Sequence, residues 1–284
     1  MPLVTRFAPS PTGYLHLGHA HSALDGWSRA KQVGGRFLLR MEDIDRTRCR
    51  PEFDAAVVAD LTWLGLDWDG PVRRQSEHFA DYEAALSRLQ AMGVLYACFC
   101  TRKDIATAQS APHGPDGSLY PGICRDLPTD KVAQRVAEGA AYALRLDTAK
   151  AQALTGELYF DEERQGTLTA QPEQLGDVVL ARREIPCSYH LCVTVDDALQ
   201  GVTLVSRGED LLPATHIHRL LQALLDLPTP TYAHHPLLTD AKGARLAKRT
   251  ESPSIRALRD NGATPSEIRT LAGFRSSSSS PMKL

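Results

Sequence analysis

Nothing in this chain offers a bilayer-spanning run: no stretch of its 284 residues stays apolar for long enough. The N-terminus has none of the basic, apolar and small-residue zones of an export signal, so the cytoplasm is the expected compartment. Net charge is only −2, which excludes indiscriminate coating of nucleic acid; an RNA ligand would need a local basic track. The six cysteines, at 49, 98, 100, 124, 187 and 192, are spaced too unevenly for a disulfide framework. No G-x-G-x-x-G follows a strand-like run, which removes the dinucleotide-binding reading. What is present is an ordinary globular composition, 43% hydrophobic and 23% charged, long enough for one large domain or two modest ones.

The most informative stretch runs from Thr5 to Ala23, T-R-F-A-P-S-P-T-G-Y-L-H-L-G-H-A-H-S-A. Val4 to Phe7 has strand character, and Pro9, Pro11 and Gly13 set a rigid turn. A helix is expected from near Leu15, with Leu17, Ala20, Leu24 and Trp27 on one face. His16 and His19, three apart, share its first turn, where unpaired backbone N–H groups attract phosphate. Gly18 removes a side chain where a nucleotide would approach the backbone. Two surface histidines at a helix start are the bland alternative; the strand, turn and glycine all favour the site.

Gly34-Gly35 ends that helix, and Arg36 to Met41 reads as a buried strand with Glu42 at its carboxyl end, where open α/β sheets bind ligands. Asp43 and Asp45 read as a surface acidic turn. Helical periodicity recurs over 52–65, 78–92 and 131–140. Ala141 to Leu146 and Gly176 to Arg182 read as strands, the second leading back to the main sheet. The alternation predicts a doubly wound α/β fold. Thr215 to Leu225 is a strongly amphipathic helix on which His216 and His218, two apart, do not face each other. His234 and His235 are expected just before a short strand, as packing or surface groups, and Cys187 and Cys192 as core thiols. Cys98-Phe99-Cys100, a Gly/Pro/Ser-rich stretch and Cys124 form a candidate structural zinc site, with His113 the fourth ligand that chemistry favours and a metal-free thiol group the alternative. Lys242, Arg245, Lys248, Arg249, Arg256 and Arg259 are candidates for a basic track. Ser276 to Leu284 is low-complexity and expected to be disordered.

R-F-A-P-S-P-T-G followed by H-L-G-H resembles the signature start of class I aminoacyl-tRNA synthetases of the glutamyl type. R-M-E-D-I-D at 40–45 is similar to that family's R-I-E-D-T-D. The runs from Tyr189 to Asp197 and Gly201 to Glu209 are similar to its Y-H-L-A-x-V-V-D-D and V-I-R-A-E-E elements, although family members carry a polar residue where Val193 stands. R-L-A-K-R at 245–249 is similar to the K-M-S-K-S loop with four replacements, Lys248 being retained. The resemblance implies an α/β class I core with a Rossmann-like parallel sheet in two halves, 1–75 and 186–235. It places a zinc-containing, acceptor-binding insertion at 76–185, the lysine loop and a short helical piece at 236–274, and a tail at 275–284.

By the same resemblance, Arg6, Phe7, Ala8, Pro9, Ser10, Glu42, Tyr189 and Arg207 bind L-glutamate, with Glu42 on the α-amino group. Two arginines and a glutamate complement two carboxylates and an ammonium; which arginine holds which carboxylate stays open. His16, Gly18, His19 and Lys248 are implied to hold ATP with Mg²⁺, His16, His19 and Lys248 being catalytic. One structural Zn²⁺ is implied on Cys98, Cys100, Tyr120 and Cys124, since the truncated relatives use C-x-C … Y-x-x-x-C. The resemblance covers almost the whole chain but only the catalytic part of full-length glutamyl enzymes, with no anticodon-binding domain. It therefore points to a truncated branch, the glutamyl-queuosine tRNA(Asp) synthetases. These ligases activate glutamate with ATP and esterify it to queuosine in the anticodon loop of tRNA(Asp). A truncated synthetase charging a tRNA 3′ end, a nucleotidyltransferase of the same superfamily and a catalytically inactive RNA-binding paralogue are the competing readings. A monomer without membrane contact is expected.

Overall fold

The computed structural model describes residues 2–101, 104–105, 119–182, 186–238 and 253–274. His113, Lys242, Arg245, Lys248, Arg249 and the serine-rich tail lie outside the described residues.

The N-terminal half opens with strand β1 (Val4–Phe7), helix α1 (Leu17–Gln32) and strand β2 (Arg36–Met41). Helix α2 (Pro51–Trp63), with proline in its first turn, leads to the two-residue strand β3 (Arg73–Arg74). β1, β2 and β3 pair in parallel, with β2 central. Strand alternation sorts the core onto two faces. Phe7, Phe37, Leu39 and Met41 pack with Ala20, Ala23 and Leu24 of α1 and Val57 and Leu61 of α2, while Val4 and Leu38 face Phe160, Val205 and Tyr232. Gly26 lets α1 lie close to the sheet: a Cβ there would sit 3.3 Å from the Phe37 ring. Gly34, at φ +64°, takes the left-handed conformation that ends α1.

Helix α3 (Phe79–Ala91) and strand β4 (Leu95–Cys98) follow, then α4 (Thr129–Ala137), β5 (Ala143–Leu146), α5 (Thr148–Thr155), the hairpin β6 (Tyr159–Glu162) and β7 (Gly166–Thr169), and β8 (Val179–Arg182). The chain ends in α6 (Tyr189–Leu199), β9 (Leu204–Gly208), α7 (Leu212–Leu224), β10 (Thr231–His235), α8 (Ile255–Asp260) and α9 (Pro265–Leu271). β9 and β10 pair in parallel. β9 runs beside β1, tied by Thr203 N–H donating to the Val4 carbonyl at 2.9 Å and Val4 N–H donating to Thr203 Oγ1 at 2.9 Å. The parallel strands therefore follow one another as β3, β2, β1, β9, β10.

Two expectations are corrected. The strand over 176–182 forms only as Val179–Arg182 and does not return to the main sheet; it pairs antiparallel with β5, in a sheet ordered β4-β5-β8. Leu180 and Ala181 pack there against Leu146, Leu86 and Leu191, so their apolar partners lie under that smaller sheet. What joins the main sheet instead is the β6–β7 hairpin, with Tyr232 of β10 beside Glu162 of β6. His234 and His235 do not precede a strand: they are its last two residues. Among the described residues no helix is long and apolar enough to cross a membrane.

Candidate active site

A cavity of about 710 Å³ opens beyond the carboxyl ends of β1, β2, β9 and β10, where parallel α/β sheets bind their ligands. Arg6, Phe7, Ala8, Pro9, Ser10, His16, Gly18, His19, Glu42, Tyr189 and Arg207 all line it. The residues expected to bind glutamate and the histidine pair thus share one chamber, although they come from segments up to about 200 positions apart. The expected fourth partner, Lys248, lies outside the described residues. The described positions on either side are at the site: Leu237 and Leu238 line the cavity, and Ser254 forms an antiparallel bridge with His16. Ile255 N–H also donates to the Leu15 carbonyl at 2.8 Å.

The histidine pair is built by the helix start. His16 is the N-cap of α1, and its Nδ1 accepts from Gly18 N–H at 3.1 Å. His19 Nδ1 accepts from His16 N–H at 3.2 Å, closing a capping box in which imidazoles replace the usual hydroxyl and carboxylate. The rings stack at 3.8 Å between centroids. With both Nδ1 atoms accepting, each neutral ring carries its proton on Nε2, a donor suited to phosphate oxygen. Gly18 has a second reason to be glycine: a Cβ would lie 3.0 Å from the His16 ring.

Charge in the cavity is arranged asymmetrically. Arg6 and Arg40, both buried, converge on one oxygen of Asp197, at 3.0 Å from Arg6 Nε and 2.8 Å from Arg40 Nη2. Burial raises the Asp197 carboxyl, but the two guanidinium groups outweigh it and hold it below the usual carboxylate range. Burial also disfavours the Arg40 charge, yet Asp197, Asp196 and Glu42 hold it protonated above its ordinary value. Asp196 is satisfied separately, by Arg73 at 2.8 Å, Gln75 at 2.8 Å and Tyr82 at 3.0 Å. Glu42 is different: burial pushes its carboxyl up to about 7 despite the pull of Arg40 and Arg6.

Arg207, also buried, has only neutral partners among the described residues. It donates to Thr215 Oγ1 at 2.7 Å, Tyr189 Oη at 3.3 Å, His218 Nδ1 at 3.3 Å and His234 Nε2 at 3.3 Å. Among the described residues, no carboxylate lies within 4.0 Å of its guanidinium. A buried cation without an anion is expensive, and a ligand carboxylate is the natural partner.

The family model for class I tRNA synthetases of the E and Q type, catalytic domain, matches residues 2–280. The chain belongs to that synthetase family. It is similar to the glutamyl-Q tRNA(Asp) synthetase of Rhodobacter capsulatus, 50% identical over 281 residues, covering 96% of this chain and 100% of the relative. It is also 45% identical to the enzyme of that name from Nocardia farcinica, covering 94% of this chain and 82% of the relative. Among solved structures it is similar to the glutamate-tRNA synthetase of Elizabethkingia anophelis, with TM-score 0.81 and 26% identity, over 96% of this chain. The synthetase chain described here spans 61% of that structure's chain.

A second cluster lies apart from the synthetase cavity. The Sγ atoms of Cys98, Cys100 and Cys124 lie within 4.8 Å of one another, and Cys100 and Cys124 approach to 3.5 Å. Tyr120 Oη joins them, 3.6 Å from Cys100 Sγ, and accepts from Cys124 N–H at 2.9 Å. Tetrahedral thiolates 2.3 Å from one ion lie about 3.8 Å apart, so the donor set fits zinc. The Arg145 guanidinium, 3.8 Å over the Tyr120 ring, supplies positive charge beside the thiols.

Sequence reasoning missed two groups in the synthetase site. Asp197 and Arg40 hold Arg6 and Glu42 in place; the available signal was an arginine inside a run that reads as a buried strand, which needs a paired acid. His218 was read only as not facing His216, and His234 as a packing or surface group; instead both accept from Arg207, and His190 stands behind His218. Of the proposed basic track, the described members are engaged within the protein: Arg259 lies 3.3 Å from Asp60, and Arg256 donates to Tyr14 at 3.0 Å.

Proposed function

We propose that this synthetase activates L-glutamate with ATP and transfers it to queuosine in tRNA(Asp). The observation that carries the amino-acid part is the buried Arg207, which has no carboxylate partner among the described residues, in one chamber with Glu42 and the stacked His16–His19 pair. Such a chamber complements an amino acid with two carboxylates and an ammonium, next to a phosphate. The queuosine acceptor rests on the similarity to the glutamyl-Q tRNA(Asp) synthetases of Rhodobacter capsulatus and Nocardia farcinica. A glutamate α-carboxylate oxygen attacks the α-phosphorus of ATP, and the bond to pyrophosphate breaks. A queuosine hydroxyl oxygen then attacks the acyl carbon of the adenylate; AMP departs and the hydroxyl proton is released. The Nε2–H donors of His16 and His19, together with Lys248, stabilise charge on the phosphates. Bound Mg²⁺ would neutralise phosphate charge there. Glu42 holds the ammonium, and no side chain acts as a nucleophile.

The test is transfer of radiolabelled glutamate to two matched tRNA pools, one containing queuosine and one lacking it. Label only on tRNA(Asp) of the first pool is expected. Equal label on both would identify a 3′-end synthetase, and none on either would sink the transfer reading.

Glu42 gives this reading a pH signature. Its carboxyl titrates near 7 in the free protein, so the anion that meets the ammonium is lost as pH falls. At pH 6 the KM for glutamate should be about tenfold above its alkaline plateau. A flat KM between pH 6 and 8 would remove Glu42 from that role. The sign for stability is opposite: its folded value lies above the unfolded 4.5, so its contribution is complete below 4.5 and lost as pH rises through about 7.

Zinc on Cys98, Cys100, Cys124 and Tyr120 would pin the β4 end to the segment before α4. Metal analysis of purified protein should find about one zinc per chain, and Cys100→Ser should lower both occupancy and the unfolding midpoint. Protein that carries no zinc when grown in zinc-replete medium would overturn the assignment.

A further inference from the structure

Arg6 and Arg207 are both buried arginines on the cavity wall, yet their surroundings differ. Arg6 is committed to Asp197. Among the described residues Arg207 touches only neutral acceptors, and the geometry shows how that neutrality is kept. His218 Nδ1 accepts from Arg207 Nη1 at 3.3 Å, which leaves its proton on Nε2, facing His190 Nδ1 at 3.2 Å. His234 stands between Arg207 and Glu162: its Nε2 accepts from Arg207 Nε at 3.3 Å, and its Nδ1 lies 3.4 Å from Glu162 Oε1. The imidazole thus spaces the guanidinium from a buried carboxylate that would otherwise neutralise it. Glu162 is occupied elsewhere, by the backbone N–H groups of His234 at 2.9 Å, Arg164 at 2.8 Å and Gln165 at 2.9 Å.

We infer that His218, backed by His190, and His234 are positioning residues: a neutral hydrogen-bonding shell that keeps the Arg207 guanidinium oriented and un-neutralised for a substrate carboxylate. The shell rests on the glutamate reading only for the identity of that carboxylate. Electrostatics agree with the geometry. Burial first, and the Arg207 charge second, press His190 and His234 down to about 4 and His218 well below its usual value. Arg6, His190 and His234 also face His218 and act in the same sense. A protonated imidazole would repel the guanidinium; an acidic side chain would consume its charge.

The experiment compares His218→Gln, His218→Leu and His218→Glu in ATP–pyrophosphate exchange. Gln keeps a neutral acceptor, Leu removes it, and Glu supplies the anion that the shell excludes. The KM for glutamate is expected to rise less than about threefold for Gln, about tenfold for Leu and more than about thirtyfold for Glu, with the KM for ATP unchanged within about twofold. His218→Glu within about threefold of wild type, or equal changes in both KM values, would overturn the inference. A second measurement needs neither variants nor turnover: nitrogen NMR of histidine-labelled wild-type protein without glutamate. His218 should stay in the neutral Nε2–H form from about pH 7.5 to 5.5, and titration near the ordinary value of about 6.5 would overturn the shell directly. Failure of the wild type to exchange with glutamate would count against the substrate reading, and the NMR result would still decide the shell.

Discussion

Arg207→Gln should raise the KM for glutamate at least about a hundredfold in ATP–pyrophosphate exchange, with little loss of folding stability. Removing one partner of a buried, hydrogen-bonded charge pair costs about 2–5 kcal/mol, and each 1.4 kcal/mol is about tenfold. The stability side follows from the neutral partners: loss of the guanidinium removes a donor from His218, Thr215 and Tyr189, leaves His234 Nε2 its contact with Thr215 Oγ1 at 3.3 Å, and leaves no buried anion exposed. Arg40→Gln is the control. Arg40 is fully buried and shares Asp197 with Arg6, so its removal should destabilise the fold by about 3–5 kcal/mol. Exchange kinetics with glutamate and thermal unfolding of both variants check the contrast. A normal KM in Arg207→Gln would remove the carboxylate role.

The second large effect is expected at the phosphates. Lys248→Ala and His16→Ala should each lower the exchange rate about 10²–10³-fold, the scale of losing one pre-organised donor to developing charge. The KM for glutamate should change little, because neither residue is assigned to it. For His16 a stability effect is also expected, since its ring caps α1 through Gly18 N–H. His16→Asn, which can still cap, separates the two contributions. Unchanged exchange in Lys248→Ala would withdraw the R-L-A-K-R segment from the site.

Much of this arrangement was legible because its determinants are local. The run from Val4 to Gly18 declares a strand, a turn and a helix start by residue type alone, and the strand Arg36–Met41 falls where its apolar run predicts. The positions named for the pocket came from resemblance rather than periodicity, and Arg6, Ser10, Glu42, Tyr189 and Arg207 all line one cavity. What escaped was pairing at long range. Nothing near Val179 says that β5, rather than the main sheet, will be its neighbour; that depends on which apolar face is left uncovered. His218 looks like any histidine on an amphipathic helix until β9 places Arg207 beside it. Asp196 and Asp197 are adjacent in sequence yet Asp196 holds Arg73 and Asp197 holds Arg6, with Arg40 reaching both, because successive helical positions point about 100° apart.

The shared carboxylate of Asp197 also bears on how the chain folds. Its two partners lie 191 and 157 residues away, at Arg6 and Arg40. Contacts this distant require closure of a very long loop, a conformational cost that local helices do not bear. The helices and the β6–β7 hairpin can therefore form while the two arginines still lack their acid, and the cavity acquires its charge pattern only when the ends of the core meet. A partly folded chain would have most of its helical content and no ability to distinguish an acidic amino acid from a neutral one.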